Sequence, residues 1–384
     1  MILKNLSTFI KIKPAVIIGF LFCTSSLLFG TWVAAIPAIK VKFGFTDGAL
    51  GMSLLLSPLG AITGIFLSTY VFKKMAVGKW LLIGYITLSG IMVLQINAPN
   101  KYVLWGCLYL FGICSFLNGV ASNSTVTILE KKYSRLMMST CHGMYSLGGA
   151  LSALLATLFF SIGISSNWQI VIVAVFVISI IAINYPLILQ HVTIIHNDSG
   201  LKLPNKTIIG IAFICLVTFM AEGCVADWSA IYLKEMIHSP KAFISFGYAG
   251  FSIAMTVGRL NGDVFIAKIG GKKIVVIGCM VAAFGFLMVC MASSIVTAVL
   301  GYVLVGMGCC CIVPVLFSAA TQIPGVTTVQ GFAMVTTGGL IGFLTGPSLI
   351  GFISEKINLA NAMIILIVFM LIAAIVARRN KFLA

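Results

Sequence analysis

The sequence predicts an all-α membrane protein, with twelve transmembrane helices in two six-helix pseudo-symmetric halves. Three observations carry this. Of 384 residues, 60% are hydrophobic and 8% charged, against about 25% charged in an ordinary soluble domain. Runs free of Asp, Glu, Lys and Arg recur at 14–39, 81–96, 168–189, 274–300 and 357–377, and about 20 apolar residues suffice to cross hydrocarbon. The longest polar interruption, 190–206, falls at the middle of the chain.

The spans follow in order, bounded by charges and turn residues. Span 1 (14–38) follows Lys11 and Lys13. Its apolar run is about 25 residues, against about 7–15 for the core of a secretory signal, so it is expected to be retained as a helix. Span 2 (47–72) runs from Asp47 to Lys73 and Lys74, and span 3 (78–97) from Gly78 and Lys79. Span 4 (101–128) lies between Lys101 and the run Glu130-Lys131-Lys132. Span 5 (138–162) follows Arg135, and span 6 (167–189) leads into the central interruption. Span 7 (206–232) ends before Lys234 and span 8 (241–266) before Lys268. Span 9 (272–293) opens at Lys272 and Lys273, and span 10 (295–320) carries Cys309, Cys310 and Cys311. Span 11 (328–353) ends before Glu355 and Lys356, and span 12 (358–378) reaches Arg378 and Arg379. The domains read as a first half, 1–190, a linker, 191–206, and a second half, 207–384.

A net charge of +16 does not point to nucleic acid, because the basic residues punctuate apolar runs and form no stripe. They sort by side instead. With twelve spans both termini share a side, and that side collects eighteen of the 24 basic residues, the other six being Lys40, Lys42, Lys101, Lys234, Lys241 and Lys356. A basic excess in short loops marks the cytoplasmic side, so both termini are expected there. The sequons at Asn5, Asn123, Asn197 and Asn205 then fall in cytoplasmic or membrane positions, and no glycosylation is expected. All eleven cysteines lie in predicted spans without a Cys-x-x-Cys pair, which makes them packing residues and not metal ligands.

The halves carry faint internal similarity. Trp32 aligns with Trp228 at an offset of 196, Gly51-Met52-Ser53 with Gly250-Phe251-Ser252 at 199, and Tyr145 to Gly149 with Val335 to Gly339 at 190. All three offsets lie near the half-length of 192. Two repeats with a binding site at their interface are a recurring plan of secondary transporters. Gly60 and Gly64, Gly258 and Gly262, and Gly338, Gly339, Gly342 and Gly346 supply small residues for close helix approach.

An ionisable group within the membrane is a candidate for function. Of the eight acidic residues, Asp47, Glu130, Asp198, Glu235, Asp263 and Glu355 sit at predicted ends or loops, which leaves Glu222 and Asp227 in span 7. Five residues apart, they are about 140° apart around the helix, so they form no dyad. A membrane carboxyl is desolvated in its charged form, which suits it to load and release a proton. Glu222 is expected to couple protons or bind a substrate hydroxyl or amine, and Asp227 to anchor an outer gate or the edge of the site. Asn118, Ser122 and Thr125 share a face of span 4, and His142, Tyr145 and Ser146 cluster on span 5. His142 titrates near neutrality when unperturbed and is a further proton candidate. Asn118, Ser122, Tyr145, Ser146 and Thr336 are candidate substrate contacts. Trp32 and Trp228 either stack on the substrate or anchor at the outer interface. No Lys or Arg lies in mid-span, Arg259 being the nearest, which favours neutral or cationic solutes. With no P-loop pattern, no nucleotide, metal or other cofactor is expected.

Gly258-Arg259-Leu260-Asn261-Gly262-Asp263, followed by Gly270-Gly271-Lys272-Lys273, resembles the helix 8–9 copy of the loop motif of the major facilitator superfamily. Finer similarity is to the YbjJ-like branch of bacterial transporters. It rests on Glu130-Lys131-Lys132-Tyr133, Ser139 to Gly143, Ser146 to Gly149, Ala221-Glu222-Gly223 and Ala226 to Ser229. The resemblance implies the major facilitator fold, a multi-pass place in the bacterial inner membrane, and a cytoplasmic gate of Arg259, Asp263 and Lys272. Two departures stand out: Val264 follows the acid where a basic residue is common, and the helix 2–3 copy keeps Lys73, Lys74, Gly78 and Lys79 but no Asp. The function expected is secondary, proton-coupled transport of a small neutral or cationic solute by alternating access, as symport or as efflux antiport. The partners are the solute, protons and the bilayer, with the chain a monomer. An intramembrane enzyme or a non-transporting sensor is the alternative of another class.

Overall fold

A computed structural model describes residues 9–135, 137–189, 208–320, 323 and 328–383, leaving aside the side chains of 263, 328–330, 332 and 333. Among them, twelve helices are long and apolar enough to span a membrane. They are α1 (Lys13–Phe43), α2 (Asp47–Lys74), α3 (Val77–Ile96), α4 (Lys101–Tyr133), α5 (Met138–Ser161), α6 (Ser166–Leu189), α7 (Ile209–Glu235), α8 (Phe246–Ile269), α9 (Gly271–Cys290), α10 (Ile295–Ala320), α11 (Thr328–Lys356) and α12 (Leu359–Arg379). The fold is the expected all-α membrane architecture. The predicted linker, 191–206, lies outside the described residues.

Local chemistry sets the boundaries. Asn100 Oδ1 accepts from the amides of Tyr102 and Val103 at 3.1 and 3.0 Å and so starts α4. Ser294 and Thr297 form a capping box at the start of α10. Glu130 does this work at a distance, its carboxylate accepting from Met137 N and Met138 N at 2.6 and 2.8 Å at the head of α5. Two spans are broken. The interruption of α2 at Leu55 and of α10 at Cys310–Cys311 each lies three residues before a proline, Pro58 and Pro314. A proline there lacks the amide that the carbonyl four residues back would accept from, and its ring crowds that carbonyl. Gly270, at φ 88°, turns α8 into α9 in a conformation that a side chain would strain.

The first span is longer than predicted. Nothing between residues 38 and 43 breaks a helix, so α1 runs on to Phe43 and ends at Gly44, with φ 63°. Lys40 is therefore a helical residue where an outer loop was expected.

The chain divides into two compact units: Met1–Ala35 with Leu56–Asp198, and Ile36–Leu55 with Ser199–Ala384. In the first, α2 packs on α4 so closely that a methyl group on Gly60 would meet the Tyr109 carbonyl, and one on Gly112 the Ser57 carbonyl. In the second, α7 packs most extensively on α11, where Gly338 and Gly342 lie against the carbonyls of Ala212 and Leu216. Cysteines fill grooves that glycines open: Cys310 lies where a side chain at Gly258 would be, and Cys311 beside Gly262. That is the packing role expected of them.

Candidate functional site

Helix α7 holds both membrane carboxylates. Glu222 stands at its midpoint, and Asp227 lies a turn and a half nearer the Glu235 end. Their surroundings differ. Arg259, on α8, donates from Nη2 to Glu222 Oε2 at 3.4 Å, with the two side chains only 15% and 14% exposed. Charge-assisted bonds of this kind usually close to about 2.7–2.9 Å, so the pair is stretched. Glu222 Oε1 has no hydrogen bond among the described residues. The arginine expected at a cytoplasmic gate and the carboxylate expected to carry protons are thus joined. Arg259 lies on a helix–helix contact inside the membrane-spanning part of the second unit.

Asp227 is partly exposed, and among the described residues no hydrogen bond or ion pair reaches its carboxylate. Trp228, beside it, is fully buried and donates from Nε1 to Pro347 O at 3.0 Å. Trp228 is thus held in the contact between α7 and α11. Of the remaining gate residues, Lys272 lies in the first turn of α9, and the Asp263 side chain lies outside the described ones.

A second charged cluster sits at the end of α7 predicted to lie outside. Lys40 Nζ is 2.5 Å from Asp47 and 2.7 Å from Glu235. Asp47 also accepts from Ser354 Oγ on α11, and Lys234 Nζ donates to Pro37 O at 3.2 Å. About one turn beyond Asp47 on α2, Gly51 O accepts from Ser348 Oγ at 2.9 Å. These bonds hold Ile36–Leu55 within the second unit. Sequence reasoning placed Lys40, Asp47 and Glu235 at separate helix ends. Their mixed signs on one side of the membrane were the signal available.

In the first unit, the polar face of α4 is spent on α3. Asn118, 1% exposed, accepts from Trp80 Nε1 at 3.0 Å. Ser122 pairs with Tyr85 OH at 3.2 Å, with Ser25 and Tyr145 close to the same hydroxyl. Thr125 donates to Ala121 O at 2.9 Å within its own helix. Trp80 and Tyr85 were not singled out from the sequence, although their polar tips need partners when buried. On α5, Ser146 donates to His142 O at 3.4 Å, and the His142 ring meets Phe22 edge-on at 5.3 Å. Trp32 is 2% exposed. Thr336, on α11 of the second unit, is exposed. Among the described residues, no group of three or more His, Cys, Asp or Glu is placed to hold an ion.

A family model described as Major Facilitator Superfamily matches residues 16–326 and, in an overlapping second match, 211–381. An uncharacterised MFS-type transporter of Yersinia pestis is 30% identical over 348 residues, covering 89% of each chain. An uncharacterised transporter of Sinorhizobium fredii is 29% identical, over 93% of this chain and 95% of that one. The membrane protein MosC of Rhizobium meliloti is 26% identical, over 93% and 88%. Among solved structures, a bacterial homologue of the human lysosomal transporter Spinster superposes with a TM-score of 0.71 at 15% identity, over 95% and 96% of the two chains. The nucleoside transporter NupG gives 0.70 at 14%, over 95% and 98%. At such identities these two speak to the fold alone. The family match spans the chain and the twelve helices agree with it. The protein is a multi-pass secondary transporter and not an enzyme, and it belongs to the major facilitator superfamily.

Proposed function

We propose that this transporter moves a small neutral or cationic organic solute in exchange for, or together with, protons, by alternating access of its two six-helix halves. Its place is the bacterial inner membrane, as a monomer with both termini in the cytoplasm. The observation that carries the reading is the unequal state of the two α7 carboxylates. Glu222 faces the Arg259 guanidinium, and Asp227 has no such partner among the described residues. Partly exposed and with no cation beside it among the described residues, Asp227 is the carboxylate left free to take up and release the proton. The Glu222–Arg259 pair is a lock whose stretched contact breaks and reforms as the second half changes shape. This moves the main coupling role from Glu222, where the sequence placed it, to its neighbour.

Purified protein in liposomes, given an imposed pH gradient and a panel of sugars, amines and nucleosides, tests the reading. Asp227→Asn is expected to abolish pH-driven flux, and Glu222→Gln to slow it while leaving it coupled. Undiminished pH-driven flux in Asp227→Asn, or no flux for any solute in the unaltered protein, overturns it.

A further inference from the structure

We propose that Cys310 and Cys311 are a redox site: a small hydroperoxide joins them in a reversible disulfide, and the joined pair releases α8 beside Arg259. Adjacent residues of a regular helix point about 100° apart and do not face each other. These two cysteines depart from that rule, with their sulfurs 3.6 Å apart and Cys310 Sγ donating toward Cys311 Sγ. The cause is the break in α10 between Cys309 and Ile312. Pro314 lacks the amide that the Cys310 carbonyl would accept from, and the next rung, Val315 N to Cys311 O, is stretched to 3.4 Å. The peptide linking the two cysteines therefore lacks part of the hold that a helix gives. That matters, because a ring closed through adjacent cysteines must turn the peptide inside it. A disulfide sets its sulfurs about 2.05 Å apart, so closure needs an approach of about 1.5 Å and adds no atom.

The surroundings select each thiol as the other's partner. Opposite the pair, α8 presents two glycines. A methyl group on Gly258 would lie 2.2 Å from Cys310 Sγ, and one on Gly262 3.2 Å from Cys311 Sγ. The thiols fill these notches, which leaves no room for a bulky adduct on either sulfur. Cys310 Sγ also lies 3.0 Å from the Met307 carbonyl, and Cys311 Sγ 3.7 Å from the carbonyl of Gly258. Hydrogen peroxide, small and uncharged, suits such a place. Of the three consecutive cysteines, Cys309 is fully buried, whereas Cys310 and Cys311 are 6% and 5% exposed. The pair that is geometrically able to join is thus also the pair within reach of a small oxidant.

The chemistry balances. One cysteine sulfur attacks a peroxide oxygen, the O–O bond breaks, and a sulfenic acid and one water result. The second sulfur then displaces the hydroxyl from the first. The S–S bond forms, and the hydroxyl leaves as a second water with the remaining thiol proton. Two thiols are oxidised by two electrons, and one peroxide is reduced to two waters. Drawn together, the sulfurs withdraw from the notches at Gly258 and Gly262, and Cys311 loses the proton it turned toward the Gly258 carbonyl. Arg259 is the next residue along that backbone, and its contact with Glu222 is already 3.4 Å. Closing the disulfide therefore loosens the Glu222–Arg259 lock, and reduction resets it.

The test treats the full chain, purified in the reduced state, with hydrogen peroxide and reads it by intact mass and peptide mapping. The expected product is lighter by two hydrogens, with the new bond between Cys310 and Cys311 inside a single peptide, and dithiothreitol restores the original mass. Cys309→Ser is expected to behave alike, and Cys310→Ser and Cys311→Ser to form no such bond. Mapping of the unaltered protein decides the matter even where a variant fails to fold. Oxidation is also expected to lower the melting temperature reversibly by a few degrees, and to leave the double variant Glu222→Met with Arg259→Met unshifted. A mass that does not fall, a gain of oxygen in its place, or a bond to any other cysteine overturns the redox site. An equal shift in the double variant overturns its action on Arg259.

Discussion

Arg259 reaches Glu222 across 37 residues of sequence, and removing one partner of such a pair costs more than the pair itself contributes. A lone charge then remains in a site that water enters poorly, a penalty of about 3–5 kcal/mol. Arg259→Met is therefore expected to lower the melting temperature of the detergent-purified protein strongly. The double variant Glu222→Met with Arg259→Met is expected to recover much of the loss, as read by scanning fluorimetry. If the double variant is as unstable as the single one, the pair is no electrostatic unit. At this scale the sequence was legible in part. Elimination among eight acidic residues isolated Glu222 and Asp227, because their cost in the membrane is a property of the residue type. The partner was not legible, since it depends on which helices touch and how far an arginine extends. Nor was the direction of the Asn118–Ser122 face. Spacing of i, i+4 says that two side chains share a face, and packing decides that this face meets Trp80 and Tyr85.

Helices meet here through glycine, and the same change of residue has opposite effects at different contacts. At Gly60, an alanine methyl would run into the Tyr109 backbone carbonyl, and no side-chain rotation can relieve that. At Gly106, on the exposed face of α4, nothing lies within 4 Å. There the substitution simply adds the better helix propensity of alanine, worth about 1 kcal/mol. Gly60→Ala is thus expected to lower the thermal stability of the purified protein and Gly106→Ala to raise it. A common sign for the two would refute the close packing of α2 on α4. Span positions were legible because long apolar runs are bounded by charges. The breaks in α2 and α10 follow from Pro58 and Pro314 once the helices are known. The extra turn of α1 was missed because Lys40 and Lys42 looked like the start of a loop. The chain has no breaker there until Gly44.

Over the whole molecule, the sorting of eighteen basic residues against six is the ground for the proposed orientation. Ten of the eleven cysteines are buried and Cys290 is partly so, so an added surface thiol stands out. In intact cells, a membrane-impermeant maleimide is expected to label Lys101→Cys and to spare Lys273→Cys, both exposed positions at helix starts. The reverse pattern would invert the topology. The chain-wide plan was legible, since composition and charge spacing act over hundreds of residues. The association of Ile36–Leu55 with the second unit was not, because it arises from bonds between residues about 200 to 300 apart.

That association bears on how the chain can be cut. A fragment covering 207–384 alone would keep Glu235, Ser348 and Ser354 but lose Lys40, Gly51 and Asp47, the groups that satisfy them. Two fragments split in the linker and produced together retain a built-in hook. The twenty residues 36–55 belong by sequence to one piece and by packing to the other, and reassembly of a divided transporter would begin on them.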